Sequence, residues 1–331
     1  MHSSRPSLVR ALSTGIVAIA LVVVANVVPE AQTSLVLQEG FEDTSFASRG
    51  WYDSTGSVLS TAEKYTGTRS LECRFTVGGT SCGSPGRHLF PVSDSVYISY
   101  YIKHSPTWVG SGKPYHPHMF NVVTNVDGIY VGPAYTHLTT YVEENGGAPV
   151  VGIQDSMNID EARTGQNLTA VTEQRAVAGC NGDSDGHGNG DCYPVGSLHR
   201  NGKLWRATGT YFDNVPGSAT YKGSWHLVEA FFRLNTISGG KGVKDGVIRY
   251  WYDGNLIIDL TNVMLRTGAQ PTMKFNQMLF LPFIGDGSPV DQTFWIDDLT
   301  LALVRPATPP QPPNSSSSQL PAAPTNLRIV P

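Results

Sequence analysis

A run of strand signals between Trp225 and Val304 constrains the fold of this chain more than any other feature. Aromatic and β-branched residues are frequent there, and none of the segments has a helical period. Asp253 and Gly254 separate two apolar runs, and both central residues of a type I′ turn need a positive φ, so this pair predicts a hairpin. The sequence therefore predicts antiparallel strands over residues 225–234, 247–252, 256–260, 276–284 and 293–304.

Weaker strand signals precede this region, over residues 35–37, 70–77, 95–103, 118–124, 138–142 and 150–154. Between them and Trp225, residues 155–223 are dominated by Gly, Asn, Asp and Thr. This composition predicts a long excursion at the rim of the sheets. Long structured loops on a rigid sheet often carry function.

The composition describes one all-β domain over residues 35–305. The chain has 35 Gly and 22 Pro but only 15% charged residues, which is typical of many short strands joined by turns. Its net charge of −4 argues against nucleic acid or an anionic membrane as partner, because both require a basic face. An acidic polysaccharide remains compatible, since a local basic cleft is sufficient.

The two ends of the chain differ from this domain. In residues 1–31, Arg5 and Arg10 precede an apolar run over 15–28, which is shorter than the ~20 residues of a membrane span. We predict a cleaved signal peptide, and therefore secretion to an extracellular or periplasmic compartment without a membrane partner; an uncleaved anchor is the alternative. Residues 306–331 are rich in Pro and Ser and predict a disordered tail.

Three motifs in the C-terminal region carry a family resemblance. They are WHLVEAFFRLNT (225–236), KDGVIRYWYDGNLIIDL (244–260) and FWIDDLTLALV (294–304). Together they resemble the end of the concanavalin A-like (laminin-G-like) jelly rolls, and among these most the polysaccharide-lyase-like secreted proteins. The resemblance implies an antiparallel two-sheet jelly-roll sandwich with long rim loops. Because this fold carries lyases, hydrolases, lectins and inert modules, the resemblance is specific for architecture rather than activity.

The four cysteines are expected to form disulfides in an oxidising compartment. Of the three possible pairings, proximity in sequence favours Cys73 with Cys82 and Cys180 with Cys192. Zinc binding is the alternative, but the sequence has no C-x-x-C pair or compact Cys/His set.

Two candidate sites for structural Ca²⁺ follow. The loop 180–192 alternates oxygen-bearing side chains with glycines and resembles EF-hand and thrombospondin-type calcium loops, although Cys192 replaces the bidentate Glu. Its candidate ligands are Asn181, Asp183, Asp185, Asn189 and Asp191; a solvated loop is the alternative. For the second site, the resemblance implies Glu42 with Asp298, where the alternative is that both carboxylates point to solvent.

The candidate active region is the stretch 103–125, which combines histidines, aromatic residues, a lysine and an amide. In a strand that begins at His118, side chains alternate between faces, so His118 is expected to share one face with Phe120 and Val122 and to oppose Asn121.

Jelly-roll polysaccharide lyases cleave uronate polymers by β-elimination. The reaction needs a group that neutralises the uronate carboxylate, a base for the C5 proton and an acid for the leaving oxygen. Residues of these types give the candidate catalytic set His118, His116, Tyr115, Arg233 and Tyr250. The candidate substrate-binding set is Trp108, Lys113, Asn121, Gln154, Arg249 and Trp251.

Two functions remain open on the sequence. The first is a secreted, monomeric, lyase-like enzyme that cleaves an acidic polysaccharide. The second is a non-catalytic, calcium-stabilised carbohydrate-binding or adhesion module that uses Trp108, Trp251 and Tyr115 as a stacking platform. Glycoside hydrolysis is less favoured, because the laminarinase-type E-x-D-x-x-E strand is absent.

Overall fold

A computed structural model describes residues 35–113, 116–124, 138–155, 192–195, 198–266, 268 and 271–308. The predicted signal peptide, the calcium loop at 181–191 and the tail beyond residue 308 lie outside these residues. Tyr115 and Cys180 also lie outside them. Across the described ranges, no helix is long and apolar enough to cross a membrane.

The described structure consists of β-strands and one short 3₁₀ helix (Phe46–Arg49). In chain order the strands are β1 (Leu35–Glu39), β2 (Trp51–Tyr52), β3 (Val58–Ser60), β4 (Ser70–Phe75), β5 (Gly86–Ser93), β6 (Ser95–His104), β7 (His118–Thr124), β8 (Thr139–Asn145), β9 (Ala148–Asp155), β10 (Cys192–Val195), β11 (Leu198–Arg206), β12 (His226–Arg233), β13 (Ile237–Ser238), β14 (Lys241–Gly242), β15 (Gly246–Tyr252), β16 (Asn255–Val263), β17 (Phe275–Phe283) and β18 (Gln292–Ala302).

Most of these strands form two eight-stranded antiparallel sheets. The first sheet has the order β16-β15-β12-β6-β18-β4-β3, and β1 also pairs with β18. The second sheet has the order β10-β11-β9-β8-β7-β17-β5-β2. The two sheets pack face to face, which confirms the predicted jelly-roll sandwich.

The core lies between the inner faces of the two sheets. Tyr100 of β6 meets Phe120 of β7 there, with ring centroids 4.6 Å apart, and Phe120 stacks on Phe280 of β17 at 4.4 Å. All three side chains are almost completely buried. Burying one such aromatic side chain stabilises the fold by about 1.5–3 kcal/mol. These contacts therefore fix the second sheet against the first.

The predicted hairpin at Asp253–Gly254 is confirmed. It joins β15 to β16, and its two central residues have φ values of 47° and 77°. The predicted disulfide between Cys73 and Cys82 is also present and connects β4 to the segment before β5.

Part of the region 155–223, which was predicted to be an excursion at the rim of the sheets, is instead a strand of the second sheet. Residues 201–206 of β11 pair with residues 150–155 of β9 and extend the second sheet. Asn201 and Gly202 lie inside β11, where Gly202 pairs with Gln154. An Asn-Gly pair is a strong turn signal, which masked this strand in the sequence.

Candidate functional site

The outer face of the second sheet is unusually polar. Because side chains alternate along a strand, the residues that register beside one another on the side away from the core lie on one face of the sheet. Three of its members, Tyr141, Glu143 and Gln277, are at most 1% exposed. The polar and aromatic members in the described strands are Tyr52, Arg87, His118, Asn121, Tyr141, Glu143, Arg206 and Gln277. We call this surface the outer-face site.

A bulge in β7 corrects the predicted orientation of His118. His118 pairs with Glu143 and Phe120 pairs with Val142, which are consecutive residues of β8. Met119 is therefore an extra residue in β7 that has no partner of its own in β8. Phe120 and Val122 face the core, whereas His118 lies on the outer face together with Asn121. The bulge therefore brings together a histidine and an amide that strict alternation would separate.

Glu143 holds the ring of His118. The Nδ1 atom of His118 contacts Oε1 of Glu143, whose side chain is fully buried, while the His118 side chain is 17% exposed. A carboxylate accepts hydrogen bonds, so Nδ1 is the donor in this pair. In the neutral ring Nε2 then carries the lone pair, and it is the nitrogen suited to receive a proton.

His116 is held through the same nitrogen, Nδ1, which here accepts a hydrogen bond instead of donating one. Its Nδ1 accepts a hydrogen bond of 3.1 Å from the backbone N–H of Gly285. The neutral ring therefore carries its proton on Nε2. The rings of His116 and His118 meet edge to face with centroids 4.7 Å apart. Two adjacent histidines thus present one proton acceptor and one proton donor.

Tyr141 forms the wall beside His118. Its ring centroid lies 4.9 Å from that of His118, and it pairs in register with Asn121 across β7 and β8. The ring passes over β9 at Gly152, where a Cβ would come within 2.3 Å of it. Only glycine leaves room for this ring position. Tyr141 and Glu143 were missed by the sequence analysis, although the alternation Thr139-Tyr141-Glu143 marks one face of a strand.

Basic and amide groups flank this centre. Arg206 is exposed at the end of β11, where partial burial lowers the pKa of its guanidinium and the charge of Glu143 opposes that effect. On the other flank, Gln277 Nε2 donates to the hydroxyl of Tyr52, and Arg87 Nε lies 3.3 Å from Asp53 Oδ2. The site therefore offers cations on both sides of the histidines.

Four predicted site residues lie on the first sheet and are not brought to His118. Tyr250 is 1% exposed in the core, and burial raises its pKa well above the ordinary value. Arg233, Arg249 and Trp251 belong to the outer face of the first sheet, a sandwich thickness of roughly 10 Å away or more. The assignment of these four residues to one site with His118 is wrong, because alternation alone could not tell which sheet each strand joins.

The predicted sugar-stacking role of Trp108 and Trp251 also conflicts with their surroundings. Trp108 is 4% exposed and packs edge to face on Phe294 at 5.3 Å. The guanidinium of Arg305 covers the Trp251 ring at 4.3 Å. Neither ring presents an open face to a polymer.

The remaining predicted residues lie nearer to the histidines or partly outside the described structure. Lys113 Nζ forms an ion pair of 2.8 Å with Asp286, and both side chains are more than two-fifths exposed. The backbone of Gln154 pairs with Thr139 in the second sheet. Its side chain lies outside the described residues.

The two carboxylates of the second calcium candidate do converge. Glu42 and Asp298 line one cavity of about 160 Å³ with Thr66, whose hydroxyl donates to Asp298 at 2.9 and 3.0 Å. Asp298 lies at a bulge of β18 with a φ of 48°, a strained conformation that turns its side chain into this cavity. Arg49 lines the same cavity but pairs with other carboxylates, on Glu39 and Asp43.

Among the described residues, the buried carboxylates at this cavity are not neutralised by a neighbouring positive charge, and their pKa values show it. Desolvation raises the pKa of Asp298 to about 6, and the charge of Glu42 adds to the effect. Desolvation also raises the pKa of neighbouring Asp297 to about 7. Two carboxylates and a hydroxyl suit a hard cation that completes its shell with backbone oxygens or water. The part of the chain that is described contains no cluster of three or more His, Cys, Asp or Glu side chains arranged for a metal.

These features define a fold class. The antiparallel sheets form a concanavalin A-like jelly-roll sandwich, and a histidine-bearing site lies on the outer face of one sheet.

Comparison with known proteins agrees on the fold. No family model matches the sequence, and no curated protein matches it. Among solved structures, the PL-14 alginate lyase of Aplysia kurodai matches with a TM-score of 0.51 at 14% identity, over 82% of this chain and 99% of its own. The glucuronan lyase of the fungus Trichoderma reesei gives 0.47 at 12% identity, over 82% and 96%. Alginate lyase vAL-1 from Chlorella virus gives 0.46 at 12%, over 78% and 95%. At 14% identity, the likeness to the Aplysia kurodai enzyme is one of fold.

Proposed function

We propose that this protein is a secreted polysaccharide lyase that cleaves an acidic, uronate-containing polysaccharide at the outer-face site. The observation that carries the proposal is the pair of adjacent rings of His116 and His118, which lie beside Asn121. The Nδ1 atom of His118 donates a hydrogen bond, whereas the Nδ1 atom of His116 accepts one. The fold shared with an alginate lyase supports this reading. The disulfide between Cys73 and Cys82 supports secretion, because such bonds persist in oxidising compartments.

The proposed reaction is a β-elimination across the C4–C5 bond of a uronate. His118 Nε2 removes the C5 proton, the electrons of the C5–H bond form the C4=C5 double bond, and the C4–O bond breaks. The Nε2–H of His116 donates a hydrogen bond to the leaving oxygen, which takes its proton from a water molecule, and the hydroxide that remains takes the proton from His118. Glu143 stabilises the imidazolium that forms on His118, because the two groups are already in contact.

The uronate carboxylate must be neutralised for this step, since its charge otherwise opposes the negative charge that develops at C5. We assign this role to Asn121, because it shares the outer face with His118 and registers beside Tyr141. Arg206 lies on the same face and supplies a positive charge near Glu143. Tyr141 packs on His118 and fixes the direction of its ring.

The test is the ultraviolet absorbance of the unsaturated chain end that elimination leaves. We expect alginate, glucuronan, pectate, hyaluronan or heparin-type polymer to give rising absorbance with the wild-type protein. The His118→Ala variant should lose the rise and keep most of its polymer binding, because a base acts on the transition state. Arg249→Ala is the matched control: this exposed residue of the first sheet pairs with Asp259 and should leave the rate unchanged.

A second variant tests the division of roles between the histidines. A Cβ at position 285 would come within 2.9 Å of the His116 ring, so Gly285→Ala should displace His116 without altering any titratable group. We expect this variant to lose turnover while His118 remains in place. If no polymer yields unsaturated ends but one is retarded in affinity electrophoresis, the protein is a binding module and the lyase proposal is wrong.

We also propose that Glu42 and Asp298 bind a structural Ca²⁺. The shared cavity, the raised pKa of Asp298 and the inward turn of its bulge support this assignment. The ion would hold β18 to the segment after β1 and would take no part in the reaction.

A further inference from the structure

A separate cavity lies at one end of the sandwich, away from the outer-face site. It measures about 360 Å³ and is bounded by the β8–β9 turn, the segment 209–214, Trp108, Val109 and Lys222. Glu144, on its floor, follows Glu143 in β8 and faces the opposite side of the sheet. The cavity and the outer-face site are therefore distinct.

The floor of the cavity contains two buried charged side chains. Glu144 and Lys222 are each 3% exposed. Glu144 Oε2 lies 2.6 Å from Nε2 of His104, which anchors the carboxylate. Lys222 Nζ donates to the carbonyl of Trp108. An ammonium has three N–H donors, so Lys222, which lines the cavity, keeps donor capacity beyond this bond.

Burying charged side chains costs free energy of folding even when they are paired, and apolar side chains on the floor of the cavity would cost less. The fold therefore keeps at this point a donor and an acceptor that a ligand with adjacent hydroxyl groups can satisfy together. Tyr211 adds a half-buried aromatic wall, with its ring packed edge to face on Tyr252 at 5.1 Å. The mouth is formed by exposed residues, including Thr210 and Asn214, so the cavity opens to solvent.

The charges in the cavity discriminate against an anionic ligand. Lys222 is accompanied by Glu144 and by Asp213, whose carboxylate already accepts hydrogen bonds from Ser218 and Thr220. A ligand carboxylate would meet two negative groups and one positive group. The volume falls at the lower end of the ~300–1,000 Å³ of small-molecule sites. We propose that this cavity binds a neutral sugar of one ring, as a free monosaccharide or at the end of a glycan.

Calorimetric titration of the full chain with glucose, galactose, mannose and xylose, each beside glucuronate, tests the proposal. We expect at least one neutral sugar to bind saturably with a Kd on the order of 1 mM, and glucuronate at least about tenfold more weakly. Absence of saturable binding by every neutral sugar would overturn the proposal, as would glucuronate binding equally well.

Variants locate the binding to this cavity. Thr210→Trp fills the mouth from an exposed position and should weaken binding at least tenfold, and Glu144→Gln removes the charged acceptor and should also weaken it. Val215→Trp is the matched control, because Val215 is 61% exposed and does not line the cavity. Thermal unfolding verifies that each variant is folded; Asn214→Trp replaces Thr210→Trp if that variant unfolds. Binding that survives both mouth substitutions contradicts the site.

Discussion

At the scale of single residues, the outer-face site depends on whether the Nδ1 atom of each histidine donates or accepts a hydrogen bond. His118 directs Nδ1 to Glu143, and His116 directs Nδ1 to a backbone N–H. A carboxylate and an amide impose opposite proton positions on the two rings. The distinction is invisible in the sequence, where the two histidines are separated only by a proline.

The first prediction concerns Glu143 as the residue that positions His118. Glu143→Gln keeps the shape of the side chain but removes the charge that stabilises the imidazolium. We expect kcat to fall by roughly 10- to 100-fold, a share of the ~10²–10⁴ that a positioned base contributes. KM should change little, because Glu143 is buried beneath His118 and does not meet the polymer. Steady-state kinetics on the cleaved polymer measures both constants.

The control for this variant is the neighbouring residue. Glu144→Gln makes the same chemical change one position along β8 but on the other face, so kcat should remain near the wild-type value. Glu143→Asp, which restores the charge, should recover part of the loss. Equal losses in Glu143→Gln and Glu144→Gln would mean that the effect comes from stability rather than from positioning.

At the scale of elements, the strands were predictable where turn chemistry bounded them. The hairpin at Asp253–Gly254 and the strands over 118–124, 276–284 and 293–304 agree with the structure within one or two residues. β5 and β11 were missed. β5 contains Pro91, and β11 contains Asn201 and Gly202, all residues that normally interrupt strands.

The candidate site was predictable only in part, for a related reason. The stretch around His116, His118 and Asn121 is contiguous, so its composition was visible. Tyr141 and Glu143 join it through the pairing of β7 with β8, and His118 reaches their face through a bulge. An inserted residue reverses the alternation on one side of it, and neither the partner strand nor the bulge is encoded by local periodicity.

A second prediction concerns the segment that follows β18. Arg305 donates two hydrogen bonds to Glu229, at 3.0 and 3.1 Å, and its guanidinium lies over the ring of Trp251 at 4.3 Å. Glu229 is fully buried and also accepts from the hydroxyl of Tyr97 at 2.8 Å. Arg305→Ala should destabilise the protein by about 2–3 kcal/mol, less than a fully buried pair, because Arg305 is 30% exposed. Urea unfolding measures this change.

The comparison is the more exposed pair formed by Arg249 Nε and Asp259 Oδ1, which lie 2.7 Å apart and whose side chains are 37% and 43% exposed. Arg249→Ala should cost less than about 1 kcal/mol, because solvent screens the pair. In addition, Arg305→Ala with Glu229→Gln should be more stable than Arg305→Ala alone, since no buried charge is then left without its partner. A double variant that is no more stable would contradict the account of the pair.

At the scale of the whole molecule, the third prediction links pH and Ca²⁺. The pKa of Asp298 is raised to about 6 and that of Asp297 to about 7, against about 3.9 for an unfolded Asp. The folded state therefore binds protons more tightly, and the stability that these groups contribute at low pH is lost as pH rises through 6 to 7. In EDTA, the Tm should fall as pH is raised from 5.5 to 8.

Added Ca²⁺ should raise the Tm by mass action, and more at pH 8 than at pH 5.5, because protonated carboxyls do not bind the ion. Asp298→Asn should lose the response to Ca²⁺ and part of the dependence on pH. Asp259→Asn, which alters an exposed carboxylate of the first sheet, serves as the control. Melting curves that coincide in EDTA and in Ca²⁺ at pH 8 would remove Glu42 and Asp298 as calcium ligands.

The position of β18 has a consequence for how the protein is made. This strand, the last one in the described residues, lies between β6 on one side and both β4 and β1 on the other. The ribosome therefore completes β1 and β4 long before the strand that joins them to the rest of the sheet exists. At ~5–20 residues per second, the delay is about 10–50 seconds. During synthesis the early strands have bare hydrogen-bonding edges, so the nascent chain gains its cooperative stability only when its final strand emerges.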